Sequence, residues 1–362
     1  MNGLKFAVLP FKIQHPMADS SSHALVPEWA PQVAVFIAWP YATGDFQPWL
    51  QAVEETYLAI AAAISKRQSL WVAVRNIALQ LELEQRFAAA GIHLEAVTFV
   101  VMPYNDVWVR DTAPLTVRKG HALRYLDFRF NGWGGKYECA DDAQIASRLY
   151  ATGILGEGLR DPVDFVLEGG SIEIDGQGTI MTTSRCLLNP NRNPSLSKKS
   201  IEDVLRHHLG ARQVLWLDHG YAEGDDTDAH VDTLARFCSE NVVAYTASNR
   251  PEDPVHEDLA RMESQLKGFR NLNGEPYEWV PLPIPSPIYS EEGDRLPATY
   301  ANFLIINDAV LVPVYNDPND AVALARLAAI FPDRTLVPID CVPLIRQYGS
   351  LHCMTMQFPH LT

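Results

Sequence analysis

The chain has 362 residues, 47% hydrophobic and 20% charged, with 44 acidic against 29 basic side chains and a formal net charge of −15. That balance argues against a polyanion such as nucleic acid, whose phosphates need clustered Lys and Arg, and suits a cationic ligand. The cysteines at 139, 186, 238, 341 and 353 form neither a disulfide framework nor a CxxC pair, and no apolar run approaches the ~18 residues that cross a bilayer.

The short apolar run from Phe6 to Phe11 is broken by Pro10 and flanked by Lys5 and Lys12, which is not a secretory leader, so a cytoplasmic protein is expected. A strand is predicted from Val33 to Trp39, then a helix over Pro48–Lys66 with Leu50, Val53, Tyr57, Ile60 and Ile64 on one stripe, then a strand at Leu70–Val74. A second helix (Ala78–Ala90) leads to a strand over Leu94–Met102, followed by Asn105-Asp-Val-Trp-Val-Arg-Asp111. Leu123–Phe130 reads as a strand before the glycine-rich Asn131–Lys136, and Asp141–Thr152 as a helix. The apolar run Val163–Leu167 ends on Glu168-Gly-Gly, and Asp175-Gly-Gln-Gly178 marks a hairpin turn before Thr179–Thr183.

A helix at Ser200–Leu209 and a strand at Gln213–Leu217 precede two expected strands, His230–Cys238 and Val242–Thr246. After a helix at His256–Phe269, Pro281–Pro287 is expected as loop or edge and Glu291–Leu296 as a polar mobile segment. Strands at Ala301–Ile306 and Ala309–Pro313, a helix at Asp320–Phe331, a strand at Leu336–Ile339 and a last one carrying Cys353 complete the chain. The class is α/β. Polar strand tips near Trp39, Trp108, Glu168, His230, Asn302 and Cys353 recur at intervals of roughly 50 to 70 residues, the mark of repeated supersecondary units. No GxGxxG, Walker A, GxSxG or HExxH motif occurs.

Cys353, set in Gly349-Ser-Leu-His-Cys353, is read as a nucleophile, although a single buried cysteine is more often an inert core thiol. Its expected partner is His230-Val-Asp232, whose imidazole and carboxylate would share one face of a strand. Asp111 follows Arg110, with which it could form a plain surface ion pair. Glu168, if buried, needs a cation or a donor. One thiol, one imidazole and three carboxylates, with Trp39, Trp108 and Trp133, suit a planar cation better than a neutral amide. Carboxylates grip a guanidinium in bidentate fashion and aromatic faces cover it, whereas an oxyanion would be repelled.

These residues lie in motifs that together resemble the agmatine deiminase and bacterial-type peptidylarginine deiminase family of guanidine-modifying enzymes. The motifs are Pro27-Glu-Trp-Ala-Pro31, Ile37-Ala-Trp-Pro40, Asn105–Thr112, Phe130–Tyr137, Leu167-Glu-Gly-Gly-Ser171, Leu187–Pro194, Thr227-Asp-Ala-His-Val-Asp232, Tyr300-Ala-Asn-Phe303 and Gly349–Cys353, spread over nearly the whole chain. The resemblance implies a single catalytic domain over residues 1–362, folded as a five-bladed α/β propeller (pentein) of ββαβ units around a central active site. It implies Cys353 as nucleophile, His230 as general acid/base, Asp111 and Asp232 as the guanidinium clamp, and Glu168 as an acidic partner of the histidine. No metal or organic cofactor is implied.

The expected reaction is hydrolysis of agmatine to N-carbamoylputrescine and ammonia through a cysteine thiouronium, a step toward putrescine. Trp108, Trp39, Trp133 and Gly349 are expected at the substrate, and Asp226 and Asp228, with Glu223 and Asp225, are candidates for its distal ammonium. A homodimer is compatible with the resemblance. Free or peptidyl arginine, a non-catalytic guanidine binder, and a metal held by His230, Asp232 and Cys353 are the competing readings. The sequence departs from the family at Ala229, Ala113 and Tyr348, where glycines are usual, and at Glu173, where histidine is frequent.

Overall fold

In the computed structural model, which describes residues 23–221 and 223–360, the chain folds into five small sheets with helices between them. The Phe6–Phe11 run lies outside the described residues. Four sheets repeat one order: two antiparallel strands, a helix, then a third strand parallel to the second. The first joins Leu115–Lys119 to Ala122–Arg129 and, across the helix Ile145–Ala151, to Leu159–Val166. Next come Ile172–Ile174 with Thr179–Thr183 and Gln213–Leu217, and Ala235–Phe237 with Val242–Ala247 and Glu278–Pro283. The fourth combines Leu304–Ile306, Ala309–Val314 and Thr335–Asp340.

The fifth sheet draws on both ends of the described chain. Met356–Pro359 pairs antiparallel with Gln32–Ala38, which runs parallel to Ser69–Val74 and thence to Val97–Val101. Gln32–Ala38 is buried at all but one position, as expected for a parallel strand covered on both faces. One cover is the helix Leu50–Ser65, which buries Val53, Tyr57, Ile60 and Ile64 at the spacing read from the sequence. The hairpin turn forms because Asp175 Oδ1 accepts from the amides of Gln177 and Thr179, both at 2.8 Å.

The proline-rich stretch expected as loop or edge begins in an edge strand, Glu278–Pro283, where a missing N–H is tolerated. One expectation needs correction. The polar 291–296 segment is tied down: Arg295 donates to both Asp253 oxygens at 2.6 and 3.0 Å, and Leu296 is buried. The hairpin strand Leu115–Lys119 was not anticipated, and no described helix is long and apolar enough to cross a membrane.

Beneath the site, Arg236 is fully buried and links three sheets to the N-terminal segment. Its Nε donates to Glu173 Oε1 at 2.5 Å, its Nη2 to Glu28 Oε2 at 2.9 Å and its Nη1 to the Phe303 carbonyl at 2.6 Å. Burial alone would raise the Glu28 carboxyl, but Arg236 and His352 outweigh it and hold the group well below the usual range. Glu173 is thus an ion-pair partner of the buried arginine. Arg236→Ala would strand two buried carboxylates, and chemical denaturation is expected to show a loss of about 3–5 kcal/mol. A loss below about 1 kcal/mol would contradict this role.

Candidate active site

Each functional side chain is presented by a turn or a short helix at the end of a strand. Asp111 sits in the short helix Val109–Thr112 and is buried. Its Oδ1 accepts from the Gly170 amide at 2.9 Å and its Oδ2 from the Trp133 indole at 3.0 Å. Trp133 can deliver that N–H because its backbone takes a left-handed φ of 53°. Burial raises the Asp111 carboxyl above its usual range, against the pull of His230.

His230 and Asp232 do not share a strand face as expected. His230 precedes a 3₁₀ turn, Val231–Thr233, and the strand begins only at Ala235. The turn is held from behind: Asp225 accepts from the Ala229 amide at 2.6 Å, and Thr227 Oγ1 accepts from the His230 amide at 3.0 Å. Asp228 and Ala229 both have left-handed φ, 68° and 69°, so the departure from glycine at Ala229 falls where a side chain is disfavoured. The same holds for Tyr348, φ 64°, but not for Ala113, φ −79°.

The His230 ring is buried between two acids, Nδ1 3.7 Å from Asp111 Oδ1 and Nε2 3.8 Å from Glu168 Oε2. Burial would lower its pKa; Asp111, then Cys186 and Glu168, override that and hold the imidazole well above the ordinary value of 6.5. Glu168, fully buried, receives Arg192 Nε at 2.9 Å on both oxygens. The guanidinium continues through Nη1 to Asp228 Oδ2 at 2.7 Å. Arg192 therefore supplies the cation that a buried Glu168 requires, and with His230 it holds that carboxyl below its usual range against burial.

Cys353 lies in the turn before Met356–Pro359, not within a strand. Its Sγ is 3.4 Å from Asn302 Oδ1 and 3.8 Å from Asp232 Oδ2. Burial, then Asp232 and Asp111, push the thiol well above its usual value. His352 points away: its Nδ1 is 2.8 Å from Asp232 Oδ2 and its Nε2 2.8 Å from Glu28 Oε2. That anchors Asp232 by one oxygen and leaves the other, Oδ1, buried with no partner among the described residues.

A cleft of about 500 Å³ opens above Cys353, lined by Asp45, Asp106, Trp108, Asp111, Trp133 and Tyr137 on one side. Asp226, Thr227, Gln347, Tyr348 and Gly349 complete the wall. Gly349 is required: a Cβ there would stand 2.4 Å from the Trp108 ring. Of the residues expected at the substrate, Trp39 is misplaced, being fully buried against Tyr57 and Phe87 with its indole on Glu54. Asp228 does not line the cleft either; Arg192 and Lys136 occupy its carboxylate. Asn302, His352 and Arg192 were missed as site residues, although each lies in or beside a motif already quoted.

Repeated ββαβ sheets and a thiol, an imidazole and buried carboxylates at the foot of an acidic cleft define an α/β enzyme of the guanidine-modifying class. The chain belongs to the Porphyromonas-type peptidyl-arginine deiminase family, whose sequence profile matches residues 24–359. Agmatine deiminase of Pseudomonas putida is 35% identical over 362 aligned positions, covering 92% of this chain and 94% of that protein. The substrate-bound structure of C. jejuni agmatine deiminase, a Cys-to-Ser variant, superposes with a TM-score of 0.85 at 34% identity, covering 93% and 96% of the two chains. A Porphyromonas gingivalis chain described as a candidate arginine deiminase gives 0.87 at 43% identity, covering 93% and 98%.

At Gly170 an added Cβ would lie 2.7 Å from His230 Nδ1 and 3.0 Å from Asp232 Oδ2. Gly170→Ala is therefore expected to displace the imidazole or a clamp carboxylate and to cut kcat/KM on a guanidinium substrate by about 100-fold or more. Steady-state kinetics checks this; wild-type turnover would contradict the assigned packing.

Proposed function

We propose that the protein hydrolyses agmatine to N-carbamoylputrescine and ammonia. The observation that carries this reading is the cleft lining: four carboxylates, Asp45, Asp106, Asp111 and Asp226, and no Lys or Arg among the described residues that form it. A dication gains at both ends of such a cleft. The carboxylate of free arginine would enter beside these acids, where the neighbouring cation, Lys136, is already paired with Asp226 and Asp228, and like charges brought together cost several kcal/mol. The agmatine deiminases among the relatives support the same choice.

The guanidinium lies between Asp111 and Asp232, whose free Oδ1 is the acceptor that a substrate N–H fills. In the resting protein burial keeps Cys353 as a thiol. The arriving cation offsets the two acids that oppose ionisation, so substrate binding itself generates the thiolate, the thiol proton leaving to solvent. Sγ then attacks the guanidinium carbon and forms the S–C bond. His230, already protonated, gives its proton to the departing nitrogen as the C–N bond breaks and ammonia leaves. Water, deprotonated by His230, adds to the thiouronium carbon; as the C–S bond breaks the adduct's hydroxyl proton passes to the departing sulfur, which restores the Cys353 thiol and releases the neutral carbamoyl product. We further read the five ββαβ sheets as a five-bladed propeller closed by the Met356–Pro359 strand, and residues 23–360 as one catalytic domain. The pairing of Met356–Pro359 with Gln32–Ala38, from opposite parts of the described chain, supports both.

Cys353→Ser and His230→Ala are each expected to lower kcat by at least about 1,000-fold with an unchanged circular dichroism spectrum. Substantial turnover in either would refute the roles. Ammonia release across agmatine, free arginine and a C-terminal-arginine peptide is expected to favour agmatine by about 100-fold or more in kcat/KM; preference for the peptide would overturn the substrate. Because His230 must be protonated to act as acid, activity is lost as pH rises through its pKa. That pKa is raised, so the alkaline limb of kcat/KM is expected well above 6.5. A limb centred at 6.5 would contradict the electrostatic setting.

A further inference from the structure

On the far side of the His230 ring, His230 and its acidic neighbour Glu168 meet a third side chain of metal-ligand type, Cys186, which has no role in the chemistry above. Cys186, held in the short helix Ser184–Leu187, is fully buried with its Sγ 4.0 Å from Glu168 Oε2. His230 Nε2 lies 3.8 Å from the same oxygen, and all three donor atoms are within 4.8 Å of one another. His230 Nε2 has no hydrogen-bond partner among the described residues, although the residue is 1% exposed. A buried ring nitrogen with an ion pair to Glu168 at 3.8 Å but no hydrogen bond, aimed at a thiol and a carboxylate, is a site still open to a ligand.

The geometry points to an inhibitory zinc site formed by Glu168, Cys186 and His230, in which the metal takes the imidazole out of catalysis. Two sides of this donor triangle are 4.0 and 3.8 Å and the third is no longer than 4.8 Å. Zinc bonds of ~2.3 Å to sulfur and ~2.0–2.2 Å to nitrogen and oxygen in a tetrahedral set draw the donors to about 3.3–3.7 Å from one another, a closure of a few tenths of an ångström on two sides and of up to about an ångström on the third. Three protein ligands leave the fourth tetrahedral position to water. Charge also balances once zinc has displaced one proton each from Cys186 and His230 to solvent: one carboxylate and one thiolate neutralise the dication, and Arg192, which already bonds Glu168, is compensated by Asp228. A neutral set is the only kind that burial tolerates cheaply.

Bound there, zinc occupies Nε2 and removes the positive charge that the ring carries when it protonates the leaving nitrogen, so turnover stops while the substrate cleft stays open. The site is distinct from one on Cys353, where Asp232 is already engaged by His352. This inference rests on the reading of His230 as general acid.

The test titrates the full-length protein with cobalt, a visible stand-in for zinc, and with zinc itself in the ammonia-release assay. Wild type and Cys353→Ser are expected to bind one cobalt each with a thiolate-to-cobalt charge-transfer band. Cys186→Ala, and Cys186→Ser as a variant of conserved size, are expected to lose the band and at least about 100-fold in affinity. Zinc should inhibit the wild type reversibly, with activity restored by chelator. A band that survives in both Cys186 variants, or disappears in Cys353→Ser, overturns the site. If no form binds metal while the wild type still releases ammonia, the zinc site fails and the deiminase reading stands.

Discussion

The protein is arranged around a cost it does not itself offset: carboxylates gathered about a buried thiol. Asp111 and Asp232 flank Cys353, and burial and both acids act in the same direction to keep it protonated. No cation of the described protein is paired with Asp111 closer than the imidazole at 3.7 Å, and Asp232 keeps one oxygen empty. Such an arrangement is unfavourable until a cation enters, and that makes the site selective for cations before any shape is considered. The same entry lowers the barrier to thiolate formation, so recognition and activation are one event.

Holding like charges together in a folded protein requires compensation nearby. Glu168 is neutralised by Arg192, Glu28 and Glu173 by Arg236, and Asp232 is anchored by His352. Each of these partners comes from a different part of the chain than the group it steadies. The network therefore depends on all five sheets meeting at the site, and conversely helps to fix how they meet. Left-handed backbone at Trp133, Asp228, Ala229 and Tyr348 shows where further conformational energy is stored, in the turns that aim side chains at the cleft.

The sheet-and-helix rhythm was legible in the sequence because the stripe Val53, Tyr57, Ile60, Ile64 and the Asp175-Gly-Gln-Gly178 turn carry strong local signals. The segment Pro281–Pro287 was legible only as loop or edge, because prolines are tolerated in a strand only at an edge and the choice between the two is a fact of tertiary structure. The reading of His230 and Asp232 as strand neighbours named the right residues for a wrong reason, since a 3₁₀ turn also brings them to one site. Trp39 was misjudged because a tryptophan beside a motif looks the same whether its indole meets a ligand or Glu54. Arg192 and His352 were passed over because their partners, Glu168 and Asp232, lie 24 and 120 positions away, and no periodicity reports such contacts.

The central claim, that a cation activates Cys353, is tested most directly by comparing two small alkylating agents with the same leaving group, a cationic haloacetamidine and its neutral haloacetamide. Intact-protein and peptide mass spectrometry should show the amidinium reagent placing one adduct on Cys353 at least about 100-fold faster than the amide, with agmatine protecting and Cys353→Ser unlabelled. Equal rates for the two reagents, or labelling of another cysteine first, would contradict the account.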